Sequence, residues 1–392
     1  MKITDLRTRI VHLDFRNCVI VQVDTDEGIT GISETVMKRK TLTIEQSILQ
    51  LKPYLIGKDP TEIETHWESM YRDSFWVGGP MHATAISAID CALWDILGRM
   101  CGVPVHKLLG GPTRRKVPVY CHCPGGSSPA EFARHALACV ERGYRNIKTT
   151  LPLFYGASNS DSAAYSGTNG SISRTWKETE HLSPAVFRRI REFFAAAREA
   201  VGPEIGLAVD CHGRLPLKGA FRLCDALEDL DMLFIEEPVP PENVESFVKI
   251  QQHTSIPIAA GERWATIHGA REFIEREAVD ILQSDLVNCG GITGLKKMAA
   301  MAEAHSITMA PHNPNGPVAT VMNLHFAAAV PNYFMLETIG SDSDAKLWQD
   351  LIGRPLRLDD GYMQVPCEPG FGVELDEDAA ALHPYVPHEG WR

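Results

Sequence analysis

Apolar positions at the start of the chain recur every second residue. Ile3 to Leu13 alternates, and Val19 to Val23 runs through the turn Asp24-Thr25-Asp26-Glu27-Gly28 into Ile29 to Ser33. This is the pattern of strand, turn and strand. The period then lengthens to that of helices around 43–56, 61–72 and 82–101. Residues 1–113 are therefore expected to form an α+β unit, closed by Leu109-Gly110-Gly111-Pro112.

Beyond residue 114 the pattern changes. Short apolar runs at 117–123, 145–150, 205–210, 232–237, 257–261, 281–285, 307–311 and 333–337 read as strands. Amphipathic stretches lie between them, among them 130–143, 187–201, 219–229, 242–252, 267–276 and 293–305. Eight strands alternating with helices predict an α/β fold, a (β/α) barrel over residues 114–345. One connection stands out. Residues 151–184, rich in Gly, Ser, Asn and Tyr, follow the end of the second strand, where barrel active sites lie, and are expected to act as a lid. Residues 346–392, with the non-helical run PCEPGFGVELDE, are expected to return to the N-terminal unit.

Composition supports a core of this size: 44% of the 392 residues are hydrophobic and 22% charged. The formal charge of −12 argues against nucleic acid or an anionic membrane as partner. An anionic ligand would need a local source of positive charge. The ten cysteines include no C-x-x-C pair. Cys121 and Cys123 flank His122 in a strand-like run and share a face, but buried or free thiols are the expectation. MKITDLRTRIVHL has no apolar signal core and no membrane-length apolar run follows, so a cytoplasmic protein is expected.

Polar residues gather where the predicted strands end. Lys148 lies at the end of strand two, Asp210 and His212 at the end of strand three, and Glu236 at the end of strand four. Glu262, Asp285, His312 and Glu337 close strands five to eight. Asp210, Glu236 and Glu262 are each 26 residues apart, one βα unit per step. Three neighbouring strands thus aim one carboxylate each at a common point, and such carboxylates repel unless a cation sits among them. Hard oxygen donors in an incomplete set suit Mg²⁺ better than zinc. His212 and His312 end strands on opposite sides of the ring, and Asp285 stands beside His312, where a carboxylate fixes the tautomer of an imidazole and raises its basicity. Solvated surface is the expectation for Lys38-Arg39-Lys40, and Gly290-Gly291 reads as a loop entering a helix, not as a phosphate cradle.

With these residues the sequence resembles the enolase superfamily, in its mandelate-racemase-like subgroup. The run AIDCALWDILGRMCGVPVHKLLGG and the tail Pro369-Gly370-Phe371-Gly372 extend the resemblance over essentially the whole chain. It implies a modified (β/α) barrel under an α+β capping domain made from the N-terminal unit and the C-terminal segment, in a homo-oligomer. Asp-x-His on strand three with the Asp285/His312 pair is most similar to galactonate dehydratase and related sugar-acid dehydratases. The resemblance then implies Mg²⁺ on Asp210, Glu236 and Glu262, His312 with Asp285 as base, and His212 as the acid that expels hydroxide. Glu337 would partner the enediolate or substrate carboxylate. Where some relatives carry Lys-x-Lys on strand two, this chain has Lys148-x-Thr150, so a lysine base at Thr150 is excluded while Lys148 remains within reach of substrate. Mannonate dehydratases of the subgroup carry a tyrosine base on a long loop after strand two, and Tyr155 and Tyr165 fall in the same place. A racemase, epimerase or cycloisomerase on the same residues remains an open alternative.

Overall fold

The structure, a computed structural model, describes residues 1–13, 16–153, 184–339 and 342–387. Tyr155, Tyr165 and nearly all of the expected lid lie outside the described residues. Strands β1 (Ile3–Leu13), β2 (Arg16–Thr25) and β3 (Thr30–Thr35) form an antiparallel sheet in chain order. β2 begins earlier than its apolar run because Arg16 and Asn17, although polar, pair with Leu13 and His12 and are buried. The helix Gly79–Cys101 packs across this sheet. Gly31 permits the approach: a Cβ there would stand 2.1 Å from the Ala92 carbonyl oxygen.

The barrel strands are β4 (Lys116–His122), β5 (Asn146–Thr150), β6 (Gly206–Asp210), β7 (Met232–Glu236), β8 (Ile258–Ala260), β9 (Ile281–Leu282), β10 (Thr308–Met309) and β11 (Leu336–Thr338). Neighbours from β4 to β10 pair in parallel, and β11 pairs back onto β4. A bridge from Met309 to Tyr333 closes the ring. Strands β8 to β10 are shorter than their apolar runs, because the chain leaves the ladder early and carries Gln283 to Asp285 and His312 into the mouth. Periodicity did not reveal the helix Pro317–Ala329, all of whose 13 residues are buried. A helix without a polar face has no amphipathic period to read.

The C-terminal segment divides its contacts between the barrel and the N-terminal unit. Strands β12 (Leu358–Asp359) and β13 (Tyr362–Gln364) form a hairpin, and β13 pairs antiparallel with Lys116–Pro118 of β4. Those three residues extend past the positions that pair with β5 and β11, so the hairpin covers an otherwise open edge. The remainder touches the N-terminal unit: Phe371 N–H donates to Asp95 Oδ1 at 2.6 Å, and His12 N–H to the His383 carbonyl at 2.8 Å. No helix among the described residues is long and apolar enough to cross a membrane.

Candidate active site

A ring of buried side chains fills the barrel interior: Tyr120, Ala208, Phe234, Ala259, Ile281, Ala310 and Met335. Side chains on a strand alternate, so the residue two positions on also faces inward, one layer nearer the C-terminal mouth. That residue is His122 after Tyr120, Asp210 after Ala208, Glu236 after Phe234, Gln283 after Ile281, His312 after Ala310 and Glu337 after Met335. Apolar inner positions thus place the polar ones above them. Glu262 breaks the rule by one residue because Gly261 turns the chain at φ +141°, and a Cβ there would meet the backbone of Gln283 and Ser284. His212, at φ +48°, bends back so that its N–H donates to Asp210 Oδ1 at 2.9 Å.

Lys148 stands at the centre. Its side chain is 1% exposed, and Nζ lies 2.7 Å from Glu236 Oε2, 2.8 Å from Glu337 Oε1 and 3.8 Å from Asp210 Oδ2. Below it are the Tyr120 ring, with its centroid 5.2 Å away, and Gln283, whose Nε2 donates to Glu236 Oε2 at 3.0 Å. Burial disfavours an ammonium here, but Glu236 and Glu337 outweigh that and hold it charged. Burial likewise opposes ionisation of Glu337, yet Lys148, His312 and His122 keep it well below the usual carboxylate range.

The two predicted histidines face this cluster from different strands. His312 Nδ1 is 2.8 Å from Asp285 Oδ2, and its Nε2 is 3.0 Å from Glu262 Oε2. His212 Nε2 is 3.0 Å from Asp210 Oδ2. Burial lowers the basicity of both rings, but the adjoining carboxylates reverse this, Glu262 first for His312 and Asp210 for His212. The pKa rises to about 10 for His312 and about 9 for His212. A cavity of about 440 Å³ opens over these groups, with Arg16, Met37 and Lys38 of the capping unit as its roof. The larger cleft, about 1070 Å³, lies at the C-terminal segment around Arg354 and Glu368 and holds none of these acid–base groups.

All eight residues expected from the sequence (Lys148, Asp210, His212, Glu236, Glu262, Asp285, His312 and Glu337) therefore meet in one connected constellation. Sequence reading missed His122, whose Nε2 bonds Glu337 Oε1, and Asn313, whose N–H donates to Glu337 Oε2 at 2.8 Å. The alternation Tyr120, Cys121, His122 already pointed His122 inward. No group of three His, Cys, Asp or Glu side chains among the described residues is arranged, as it stands, to hold a metal ion. The reason is electrostatic: Asp210 is drawn to His212, Glu236 to Lys148 and Glu262 to His312. The donors nevertheless fit a hard divalent cation. They are carboxylates from three consecutive strands, and Glu236 Oε1 is buried with no hydrogen-bond partner among the described residues.

Comparison with known proteins agrees with this architecture. Residues 6–110 match the mandelate racemase / muconate lactonizing enzyme N-terminal domain, and residues 131–379 match the enolase C-terminal domain-like family. The chain belongs to the enolase superfamily, in its mandelate-racemase-like subgroup. It is 34% identical over 396 residues to the D-mannonate dehydratase CC0532 of Caulobacter vibrioides, covering 98% of this chain and 95% of the relative. It is 36% identical over 381 residues to the D-galactonate dehydratase of Ralstonia pickettii, covering 96% and 93%. A solved enolase-superfamily member from Salmonella Typhimurium superposes with a TM-score of 0.87 at 30% identity, covering 98% of each chain. The chain is an enzyme of the dehydratase class, and enolase superfamily members use Mg²⁺.

Proposed function

We propose that this enzyme dehydrates a sugar acid of the aldonate class to a 2-keto-3-deoxy acid, removing the C2 proton and expelling the C3 hydroxyl. The observation that carries the reading is the pair of imidazoles set on different strands around one carboxylate-lined cavity, each held by its own carboxylate. Asp285 fixes His312 through Nδ1, so Nε2 faces the cavity and takes the C2 proton once it is released from Glu262. His212, held protonated beside Asp210, donates to the departing hydroxyl. Lys148 and His122 fix Glu337 on the remaining wall, where it orients the substrate's polar groups. Asp210, Glu236 and Glu262 would hold Mg²⁺, which when bound stabilises the extra negative charge of the enediolate. Arg16 and Lys38 in the roof supply cationic partners for an anionic or hydroxylated substrate. D-mannonate and D-galactonate, named for the relatives, are the first substrates to assay.

The test is incubation of purified protein and Mg²⁺ with a panel of aldonates, following product by NMR. A 2-keto-3-deoxy acid with no accumulating C2 epimer is expected. An epimer as main product without keto acid would replace the reading with a racemase.

A further inference from the structure

A buried carboxylate at the rim of the barrel holds an arginine at the edge of the cavity. Glu237, the residue after Glu236 of β7, is 1% exposed. Its two oxygens accept from two nitrogens of Arg263, Nε to Oε1 at 3.1 Å and Nη2 to Oε2. Arg263 lies just past the end of β8, keeps 43% of its side chain exposed and lines the cavity. Gly213, the neighbour of His212, makes room for it: a Cβ there would stand 2.7 Å from Arg263 Nη2, and the backbone sits at φ +66°. The guanidinium therefore stands on the His212 side of the cavity.

Stability alone does not account for this pair. Taking a carboxylate out of water can cost more than its attraction to a partly exposed partner returns. Glu237 also adopts φ +40°, a left-handed backbone that is unfavourable for a residue with a side chain. What the pair does achieve is direction. A guanidinium is planar and carries its donors at fixed angles, so two bonds to Glu237 set where the other N–H groups point.

We propose that Arg263, oriented by Glu237, is a specificity residue that reads the hydroxyls of the substrate beyond C3. The inference rests on the proposed dehydration. With C2 at His312 and the departing C3 hydroxyl at His212, the carbons that follow lie on the His212 side, where Arg263 Nη2 borders Gly213. Glu237 already matches the charge of Arg263, which suits the exposed edge of the guanidinium to a neutral hydroxyl rather than to a second carboxylate. Arg263 meets none of the atoms whose bonds change, so its contribution lies in binding the correct chain and not in moving a proton. Glu237 is the positioning residue behind it.

The test is steady-state kinetics on aldonates of four, five and six carbons that share the C2 and C3 configuration of the best substrate. Saturating Mg²⁺ removes any effect passed through Glu262, whose Oε1 is 3.8 Å from Arg263 Nε. Removing Arg263 alone would leave Glu237 buried without this partner, so Arg263→Met is combined with Glu237→Gln. The double variant should lower the six-carbon to four-carbon ratio of kcat/KM by about ten- to a hundredfold, the worth of one hydrogen bond from a charged donor. The loss on the six-carbon acid should fall mainly in KM. Glu237→Gln alone, which keeps the arginine but loosens its hold, should lower the ratio by a smaller factor. Should the double variant fail to fold, Arg263→Lys keeps a cation beside Glu237 without the planar fork and should lower the ratio in the same direction. Equal losses at every chain length would overturn the proposal and leave the dehydration standing. A wild-type enzyme that dehydrates no aldonate would overturn the proposed function and this role of Arg263 together.

Discussion

Replacing Lys148 with Met keeps the length and apolar stem of the side chain but removes its charge from among three carboxylates. Glu236 and Glu337 lose a partner at 2.7 and 2.8 Å, and Asp210 loses one at 3.8 Å, all of them buried. Breaking one buried ion pair by deleting a partner costs about 3–5 kcal/mol, because the remaining charge stays out of water. An unfolding entropy of about 2.1 cal/mol/K per residue gives about 0.8 kcal/mol/K over 392 residues. A loss of about 3–5 kcal/mol therefore lowers the melting temperature by about 4–6 °C in metal-free buffer. The same carboxylates are the proposed Mg²⁺ ligands, so saturating Mg²⁺ should stabilise the variant more than the wild type and narrow the gap. Differential scanning calorimetry with and without Mg²⁺ measures both quantities. Equal deficits under the two conditions would show that Lys148 and the cation do not neutralise the same charges, and the account of the site would fail.

His212→Asn should reduce keto-acid formation by roughly a hundred- to ten-thousand-fold while leaving C2 proton exchange with deuterated water measurable by NMR. His312→Asn should stop that exchange; exchange that survives would move the base to another residue. Burial raises the Asp90 carboxyl from 3.8 to about 7, against the hydrogen bonds from Thr293. Between about pH 4 and 7 the folded chain then holds a proton that the unfolded chain has lost, so stability falls as pH rises by about 1.4 kcal/mol per unit. Urea titrations should show Asp90→Asn flattening the profile by that slope within the window.

The site was legible in the sequence where one chemical type recurred at the spacing of the fold. Asp210, Glu236 and Glu262 at equal intervals announced three consecutive strands, and the apolar residues two positions before the first two fixed which way they face. Glu262 was found by spacing alone, since the φ of Gly261 that turns it inward leaves no trace in a hydropathy pattern. His122 was passed over because two cysteines beside it invited a reading about thiols. The partnership of Lys148 with Glu236 and Glu337 joins strands 88 and 189 residues apart, a pairing that only barrel closure reveals. The helix Pro317–Ala329 was invisible for the opposite reason, being apolar on every side.

How the cap is held over the mouth was also illegible, and it bears on specificity. Two barrel helices begin against side chains of the N-terminal unit. Glu34 of β3 accepts from Gly316, Val318 and Ala319 N–H at 2.5, 3.0 and 3.3 Å, at the start of the helix Pro317–Ala329. Ser87 Oγ accepts from Gly290 and Gly291 N–H at 2.8 and 2.9 Å, and Asp90 from Thr293 N–H at 3.0 Å, at the start of the helix Gly291–Ala304. The first turn of a helix has backbone N–H groups without intrahelical partners, and its dipole favours a negative group there. The cap thus satisfies donors that the barrel cannot satisfy itself, at the two helices that follow Asp285 and His312. Glu34→Ala leaves three buried donors without a partner, at about 1–3 kcal/mol for each such group. Glu34 lies on β3, the strand that leads to Lys38 in the roof of the cavity, so the variant should raise KM for the best aldonate more than it lowers kcat. An unchanged KM beside a lowered melting temperature would mean that Glu34 holds the fold together without positioning the roof.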